Sequence, residues 1–455
     1  MFKHERFHYK NVEELRQAIA AMGLEIPLAE STPAFWRTPV TVGAKTIPNR
    51  LAIHPMEGCD GTTDGHPGEL TYRRYDRFAR GGAGLLWFEA TAVLPEARAV
   101  PRQIMLNEAT LPAFADLRQR ALAAAREVHG QDFRPYTVVQ LTHSGRYSRP
   151  DKPAAIIAVN NPYLDYRLTA DHRIISDAEI EAVEDRYAEV AELAVQAGFD
   201  AIDVKCCHRY INNELLSAVT REGKYGGNFE NRSRFMLNTL DKIKARVGDR
   251  IDIAVRLNAY DSIPYPFGWG VDKEDFHKPD FSEPVKLAKL LQARGVKIIN
   301  VTAGNPYYNP HVNRPYDQGT YTPPFHPLEH VAILLAAGRA IQQAAPEVVV
   351  VGTGLSWLRE LGANVAAGCI AEGWFQVAGF GRQAFAYPDF AADLSATGRL
   401  DPRKVCMACS KCAMILRDCG TTGCVIRDPA VYVPVFQATQ AGKPPVDAGR
   451  IAEHV

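Results

Sequence analysis

A chain of 455 residues, 46% of them hydrophobic, is long enough to bury one barrel-sized core plus an appendage. Lysine plus arginine and aspartate plus glutamate both number 52, so the formal net charge is zero; neither nucleic acid nor an anionic membrane is the expected partner, and a small molecule is. The opening MFKHERFHYK has no apolar signal core and no run of about 18 apolar residues comes later, which predicts neither secretion nor a membrane span and a cytoplasmic location.

In chain order, residues 1–33 hold one expected helix, NVEELRQAIAAMG, and a proline-bounded connector that should pack on the outside of the main domain. From residue 34 to 398 one rhythm repeats eight times. Buried strands are expected at RLAIHPM from Arg50, GLLWFEATAV from Gly84, RPYTVVQLTH from Arg134 and AIDVKCC from Ala201. The series continues with DIAVRLN from Asp252, VKIINVTAG from Val296, VVVVGTG from Val348 and WFQVAGFGRQ from Trp374. Between them, segments such as LTYRRYDRFARGG and LPAFADLRQRALAAAREV carry apolar residues three and four apart. The helix after Ser176-Asp177 should be capped there and end at Gly198. Near-continuous apolar strands must be covered on both faces, so the alternation predicts an α/β chain folded as a closed (β/α)8 TIM barrel, with a doubly wound open sheet as the alternative.

In such a barrel the chemistry gathers at the carboxyl ends of the strands. Those ends read His54-Pro55-Met56-Glu57, Glu89-Ala90-Thr91, Gln140-Leu141-Thr142-His143, Lys205-Cys206-Cys207-His208, Arg256-Leu257-Asn258, Thr302-Ala303-Gly304, Gly352-Thr353-Gly354 and Gly379-Phe380-Gly381-Arg382. Glycines after the last two strands, with Arg382 beside them, suit an anion such as a phosphate, because backbone N–H groups can approach it and a helix start favours it. Cys206 and Cys207 are adjacent in an extended segment and point to opposite faces, which argues against joint metal ligation.

Five segments together resemble the old yellow enzyme family, the FMN-dependent NADH:flavin oxidoreductases. They are PNRLAIHPM, RGGAGLLWFEAT, QLTHSGR, GFGRQAFAYPDF and the stretch from GFDAIDVKCCHRY to YGGNFENRSRF, over about residues 35 to 395. The resemblance implies FMN across the barrel top. Pro55, Met56 and Glu57 would lie beside the ring, Ala90 and Gln140 at its pyrimidine edge, Arg256 near N1, and Gly354, Gly381 and Arg382 on the phosphate. Lys205 and His208 correspond to the pair that binds a substrate oxygen. Lys205 departs from the family's usual histidine and Glu57 from its usual small residue, so a Glu57–Lys205 ion pair is expected. In the loop NPYYNPHVNRPY, Tyr308 corresponds best to the proton donor of dienoyl-CoA reductase-like relatives, with Tyr307 and His311 beside it.

Residues 399–455 form a cysteine-rich segment and tail. Cys406, Cys409 and Cys412 stand at Cys-x2-Cys-x2-Cys and Cys424 comes after them, a spacing that suits a [4Fe-4S] cluster, with Cys419 as the alternative fourth ligand and zinc as the alternative metal. The pattern resembles the dienoyl-CoA reductase and trimethylamine dehydrogenase branch, whose dinucleotide-binding domain with its G-x-G-x-x-G turn is not expected here. The expected activity is reduction of an activated C=C bond of a small molecule, with electrons from NAD(P)H or from an electron-transfer protein partner. Substrate dehydrogenation with electrons leaving through the cluster, and a non-catalytic electron-transfer subunit, are the alternatives; self-association into a homo-oligomer is a further expectation.

Overall fold

Apolar residues at alternate positions of a strand serve two cores at once, and the eight apolar runs do so. In the computed structural model, which describes residues 2–150 and 155–442, they form strands β1 (Leu51–Ile53), β2 (Leu85–Ala92), β3 (Tyr136–Thr142), β4 (Ala201–Val204), β5 (Asp252–Asn258), β6 (Ile298–Thr302), β7 (Val349–Gly352) and β8 (Val377–Phe380). Each pairs in parallel with its chain neighbours, and β8 closes on β1 through Ala378–Leu51, Gly379–Ala52 and Phe380–Ile53. The fold is therefore a (β/α)8 barrel, not an open sheet. The end of the expected cysteine-rich tail, residues 443–455, lies outside the described residues.

Inward residues Ala52, Trp87, Val138, Ala201, Ala254 and Val351 pack together, while their neighbours Ile53, Phe88, Val139, Ile202, Val255 and Val350 face the helices. A hairpin that strand patterning did not reveal, Val40–Val42 with Lys45–Ile47, joins the inner cluster. Lys45 Nζ bonds the Asp200 carbonyl (2.7 Å) and the Asp252 carboxylate (3.0 Å), both at the amino ends of strands, so the hairpin plugs that end and leaves the carboxyl end open.

The helical segments form where three- and four-residue spacing predicted them. The helix Asp177–Gln196 starts with a reciprocal cap: Glu179 N donates to Ser176 Oγ (3.3 Å) and Ser176 N to the Glu179 carboxylate (2.9 Å), an arrangement that stabilises by about 1 kcal/mol. The amino-terminal helix Val12–Ala21 packs outside the barrel through Leu15 and Ile19. Among the described residues, no helix is long and apolar enough to cross a membrane.

Candidate active site

Strand period two carries the inward face upward from the packed core to the rim. Above Ala52 comes His54, above Val138 Gln140, above Ala201 first Asp203 and then Lys205, above Ala254 Arg256, and above Val377 Gly379 and Gly381. All but Asp203 line a cavity of about 1090 Å³ at the carboxyl end of the barrel. The same alternation turns Cys206 outward into the helix shell.

The floor is pre-set by Asp203. It accepts from the Gln140 side-chain amide, from Trp87 Nε1 (2.9 Å) and from the Arg256 backbone N–H (2.7 Å), and burial pushes its carboxyl up to about 6. With its amide nitrogen committed downward, Gln140 presents its carbonyl oxygen as an acceptor for a ligand N–H. His54 is fixed between Asn300 Nδ2 and Thr353 Oγ1, each 2.9 Å away. Gly379 permits this: a Cβ there would meet the His54 ring at 2.2 Å.

The β1 loop is held from beneath. Arg74, fully buried, bridges Asp60 and Glu89, and Glu89 also accepts from Gly58 N (2.8 Å). Gly58 lies so close to the Arg74 guanidinium that a Cβ would come within 2.0 Å of it. Burial raises Glu89 to about 7 against the opposing pull of Arg74.

Glu57 and Lys205 pair at 3.0 Å, and Lys205 Nζ also sits 3.9 Å from the centroid of the Tyr210 ring. After β4 the chain makes a turn in which both His208 (φ +64°) and Arg209 (φ +60°) are left-handed, a strained conformation for non-glycine residues. The strain is held by Arg209, whose buried guanidinium pairs with Asp261 (2.8 Å) and bonds Ser217, while its backbone N–H donates to Asn213 (2.8 Å). His208 is thereby aimed into the cavity. Burial, then Lys205, Arg256 and Arg314, hold its imidazole well below the usual range, so it is neutral. The Tyr210 and Tyr307 hydroxyls lie 2.9 Å apart on the same wall, with Tyr307 stacked on Tyr147 at 4.0 Å.

Of the residues singled out from the sequence, Pro55, Met56, Glu57, Gln140, Lys205, His208, Arg256, Gly354, Gly381 and Arg382 line this one cavity. Ala90 and Tyr308 do not. Strand β2 has an irregularity between Phe88 and Ala90, and the Ala90 carbonyl accepts from Gln103 (2.9 Å). Tyr308 packs among Leu164, Ile263 and Phe267; one residue earlier in the loop, Tyr307 takes the inward position. His311 packs against His330 and Phe325 and bonds Tyr321 (2.6 Å).

Two further arginines border the cavity from loops and were not separable from ordinary loop charges: Arg314 after β6, and Arg417 from the helix Lys411–Arg417 of the cysteine-rich segment. Arg256, Arg314, Arg382 and Arg417 each keep at least one buried, unpartnered guanidinium nitrogen, and among the described residues none forms a salt bridge. Burial together with Arg417 and Arg382 depresses Arg314 to about 10. Such mutual repulsion calls for an anion, and a phosphate beside Gly354, Gly381 and Arg382 answers it. The segments after those glycines, Leu355–Leu361 and Arg382–Ala386, are too short to supply a useful helix dipole, so the attraction comes from the arginines. These cations, each with a free buried nitrogen, and the upturned Gln140 oxygen fit an FMN with its phosphate over β7 and β8.

A second cavity, of about 360 Å³, is lined by Cys406, Cys409, Cys412 and Cys424. Ala408 (φ +48°) and Ser410 (φ +58°) reverse the backbone twice between the thiols, Ala408 N donates to Cys406 Sγ (3.4 Å), and Arg427 N donates to Cys424 Sγ (3.3 Å). Cys419 is not in this wall; its loop turns toward β1, where Thr422 N donates to the Gly58 carbonyl (2.7 Å). Among the described residues no group of three or more His, Cys, Asp or Glu side chains is placed to hold a metal ion. Cys412, Arg382 and Phe385 line both cavities.

A closed parallel barrel whose carboxyl end gathers Gln140, Lys205, His208 and four arginines around one cavity is the architecture of a barrel flavoprotein oxidoreductase. Residues 37–302 match the NADH:flavin oxidoreductase / NADH oxidase family, and the chain belongs to it as an FMN-dependent oxidoreductase. It is 31% identical over 276 residues to an NADPH dehydrogenase of a Geobacillus species, covering 59% of this chain and 72% of that one. It is 27% identical over 295 residues to an NADH:flavin oxidoreductase of Gibberella zeae, covering 60% and 68%. A solved 2-naphthoyl-CoA reductase, in complex with 2-naphthoyl-CoA, shares the fold with a TM-score of 0.69 at 20% identity; the match covers 89% of this chain and 58% of that longer one.

Proposed function

We propose that this chain is an ene-reductase: it reduces an activated C=C bond of a small molecule that carries a carbonyl. The observation that carries the reading is the convergence of Lys205, neutral His208 and the Tyr210–Tyr307 hydroxyl pair on one cavity, from the segments that follow β4 and β6. In an eight-strand ring β4 stands across from β8, whose tip bears Gly381 and Arg382. FMN held by Gln140, Arg256, Gly354, Gly381 and Arg382 would supply hydride chemistry for the β-carbon, with NAD(P)H or an electron-transfer protein as the source of its two electrons. Lys205 and His208 hold the carbonyl oxygen and stabilise the negative charge that grows on it. Tyr210 and Tyr307 are neutral phenols, both raised by burial, and one of them gives its proton to the α-carbon. Lys205 over the Tyr210 ring eases the charge that the departing proton leaves.

The Cys-x2-Cys-x2-Cys spacing and the one cavity lined by Cys406, Cys409, Cys412 and Cys424 favour a [4Fe-4S] cluster held by these four residues over single zinc. Its shared wall with the larger cavity favours a second reading, in which a substrate such as an amine is dehydrogenated and electrons leave through the cysteine segment. Anaerobic titration separates the two. Reoxidation of the reduced protein by an enone, lost by 10²- to 10⁴-fold in Lys205→Met and His208→Ala, supports the first. Bleaching of the oxidised protein by an amine supports the second, and a protein inert to enones refutes ene reduction.

A further inference from the structure

The larger cavity holds more positive charge than a flavin mononucleotide can answer. Lys205, Arg256, Arg314, Arg382 and Arg417 line it, and Glu57 is the one carboxylate in the same wall. A bound phosphomonoester brings about −1.5 to −2, and the flavin ring at most one further negative charge. Against a net of four positive side-chain charges, the FMN leaves at least one unanswered; the negative charge of a thiolate-held cluster would fall at Cys412 and Arg382, which line both cavities, whereas Arg417 lines only the larger one.

Position singles out the unanswered cation. Arg382, just past β8, bonds the Pro315 carbonyl of the loop after β6 (2.6 Å), and Arg256 is on β5, which pairs with β4 just before Lys205. Arg417 comes instead from the cysteine-rich segment, bordering the cavity alongside Leu416, Pro306 and Tyr307. Among the described residues its hydrogen bonds go to neutral acceptors, Thr320 Oγ1 (2.9 Å) and the Pro306 carbonyl (3.4 Å), and Nε has no partner. Burial, then the nearby Arg167, make its charge costly, and Tyr321, Tyr316 and the adjacent Asp418 offset this only in part. A buried arginine with neutral partners and a cationic neighbour gains most from an incoming anion.

Resting on the ene-reductase reading, we propose that the substrate bears an anionic group, a carboxylate or phosphate, remote from its reacting carbonyl, and that Arg417, aided by Arg314, receives it. Tyr307 and Leu416 line the same cavity, which suits a connecting part of the substrate that is apolar and unsaturated or aromatic. Arg417 is a specificity residue: it contributes to binding the remote group and not to the hydride or proton steps.

The test compares three probes on the flavin-loaded enzyme: cinnamaldehyde, its 4-carboxylate and its 4-phosphate. Dissociation constants come from perturbation of the oxidised flavin spectrum, independently of turnover. The proposal expects one or both charged probes to bind about tenfold or more tightly than the neutral one. The favoured probe identifies the anion as carboxylate or phosphate. In Arg417→Gln the charged-to-neutral ratio falls to within about threefold, with KM for the charged probe rising more than kcat falls. Should that variant not fold, raising salt from about 20 to about 300 mM must weaken the charged probe selectively in the wild type. Equal binding of all three probes overturns the proposal while leaving ene reduction intact. A charged probe that binds tightly without being reduced upholds the anion site and refutes ene reduction of that substrate class. If Arg417→Gln raises only the KM for NAD(P)H, the anion belongs to the electron donor and the substrate proposal is overturned.

Discussion

Replacing Arg209 with methionine tests the claim that one buried ion pair holds the His208 turn. Arg209 and Asp261 are both fully buried and 2.8 Å apart. Removing one member of such a pair strands the other charge and costs about 3–5 kcal/mol. Asp261 keeps the Trp269 N–H (3.0 Å) and the Asn258 amide, which places the cost near the lower end, at about 3 kcal/mol. The loss carries a sign in pH. Burial already raises the Asp261 carboxyl and Arg209 lowers it, so the variant raises it further. A carboxyl whose folded pKa exceeds its unfolded value of about 3.9 destabilises increasingly as pH rises between the two, by about 1.4 kcal/mol per unit. The gap to wild type should thus widen as pH rises through the raised titration of the carboxyl. Urea unfolding followed by tryptophan fluorescence measures it. The double variant Arg209→Met/Asp261→Leu should recover much of the stability without restoring His208 function. A gap below about 0.5 kcal/mol, or one that narrows with rising pH, refutes the reasoning.

Acid should unfold the protein partly through the imidazoles behind the β6 loop. His311 and His330, rings 4.9 Å apart and bordered by His277 and His4, are lowered by burial, His330 to about 3. Both are neutral when folded, so their contribution is full above about pH 6.5 and lost as pH falls below it. His330→Phe should reduce the slope of stability against pH below 6.5 by about one proton, measured as urea midpoints; an unchanged slope counts against it. Gly379→Ala should push the His54 ring off Asn300 and Thr353 and cost about 1–3 kcal/mol, visible as a lower thermal midpoint. Cys412→Ser should reduce both iron and flavin content, because that residue lines both cavities, whereas Cys419→Ser should leave iron per chain at the wild-type value. Iron analysis with acid-released flavin reads both.

Much of the architecture could be read without coordinates because its causes are local. Period-two burial in eight apolar runs and three- and four-residue spacing between them require strands covered on both faces, and every run forms a barrel strand. The same period, continued upward, sends Gln140, Lys205 and Arg256 inward and Cys206 outward. Even the Glu57–Lys205 pair follows from the meeting of strand tips at one rim and the cost of burying either charge alone.

Loop residues escaped that logic. No periodicity acts across NPYYNPHVNRPY, so sequence spacing could not decide that Tyr307 turns into the cavity while Tyr308 joins Leu164 and Phe267. Ala90 reads as a rim residue, but the irregularity in β2 removes its neighbourhood from the simple alternation. The hairpin plug is too short to show a pattern, and its role arises from where Lys45 meets Asp200 and Asp252.

By itself, then, the sequence determined the barrel, its open end and the inward residues of its strands, because alternation is a property of neighbouring residues along the chain. Only the tertiary structure decided that Arg417, some 200 residues from Lys205, borders the same cavity, that Cys424 and not Cys419 completes the four-thiol wall, and that Arg209 pins His208. Those contacts depend on where the folded barrel brings distant loops together, and their energies come from burying charges that no local pattern records.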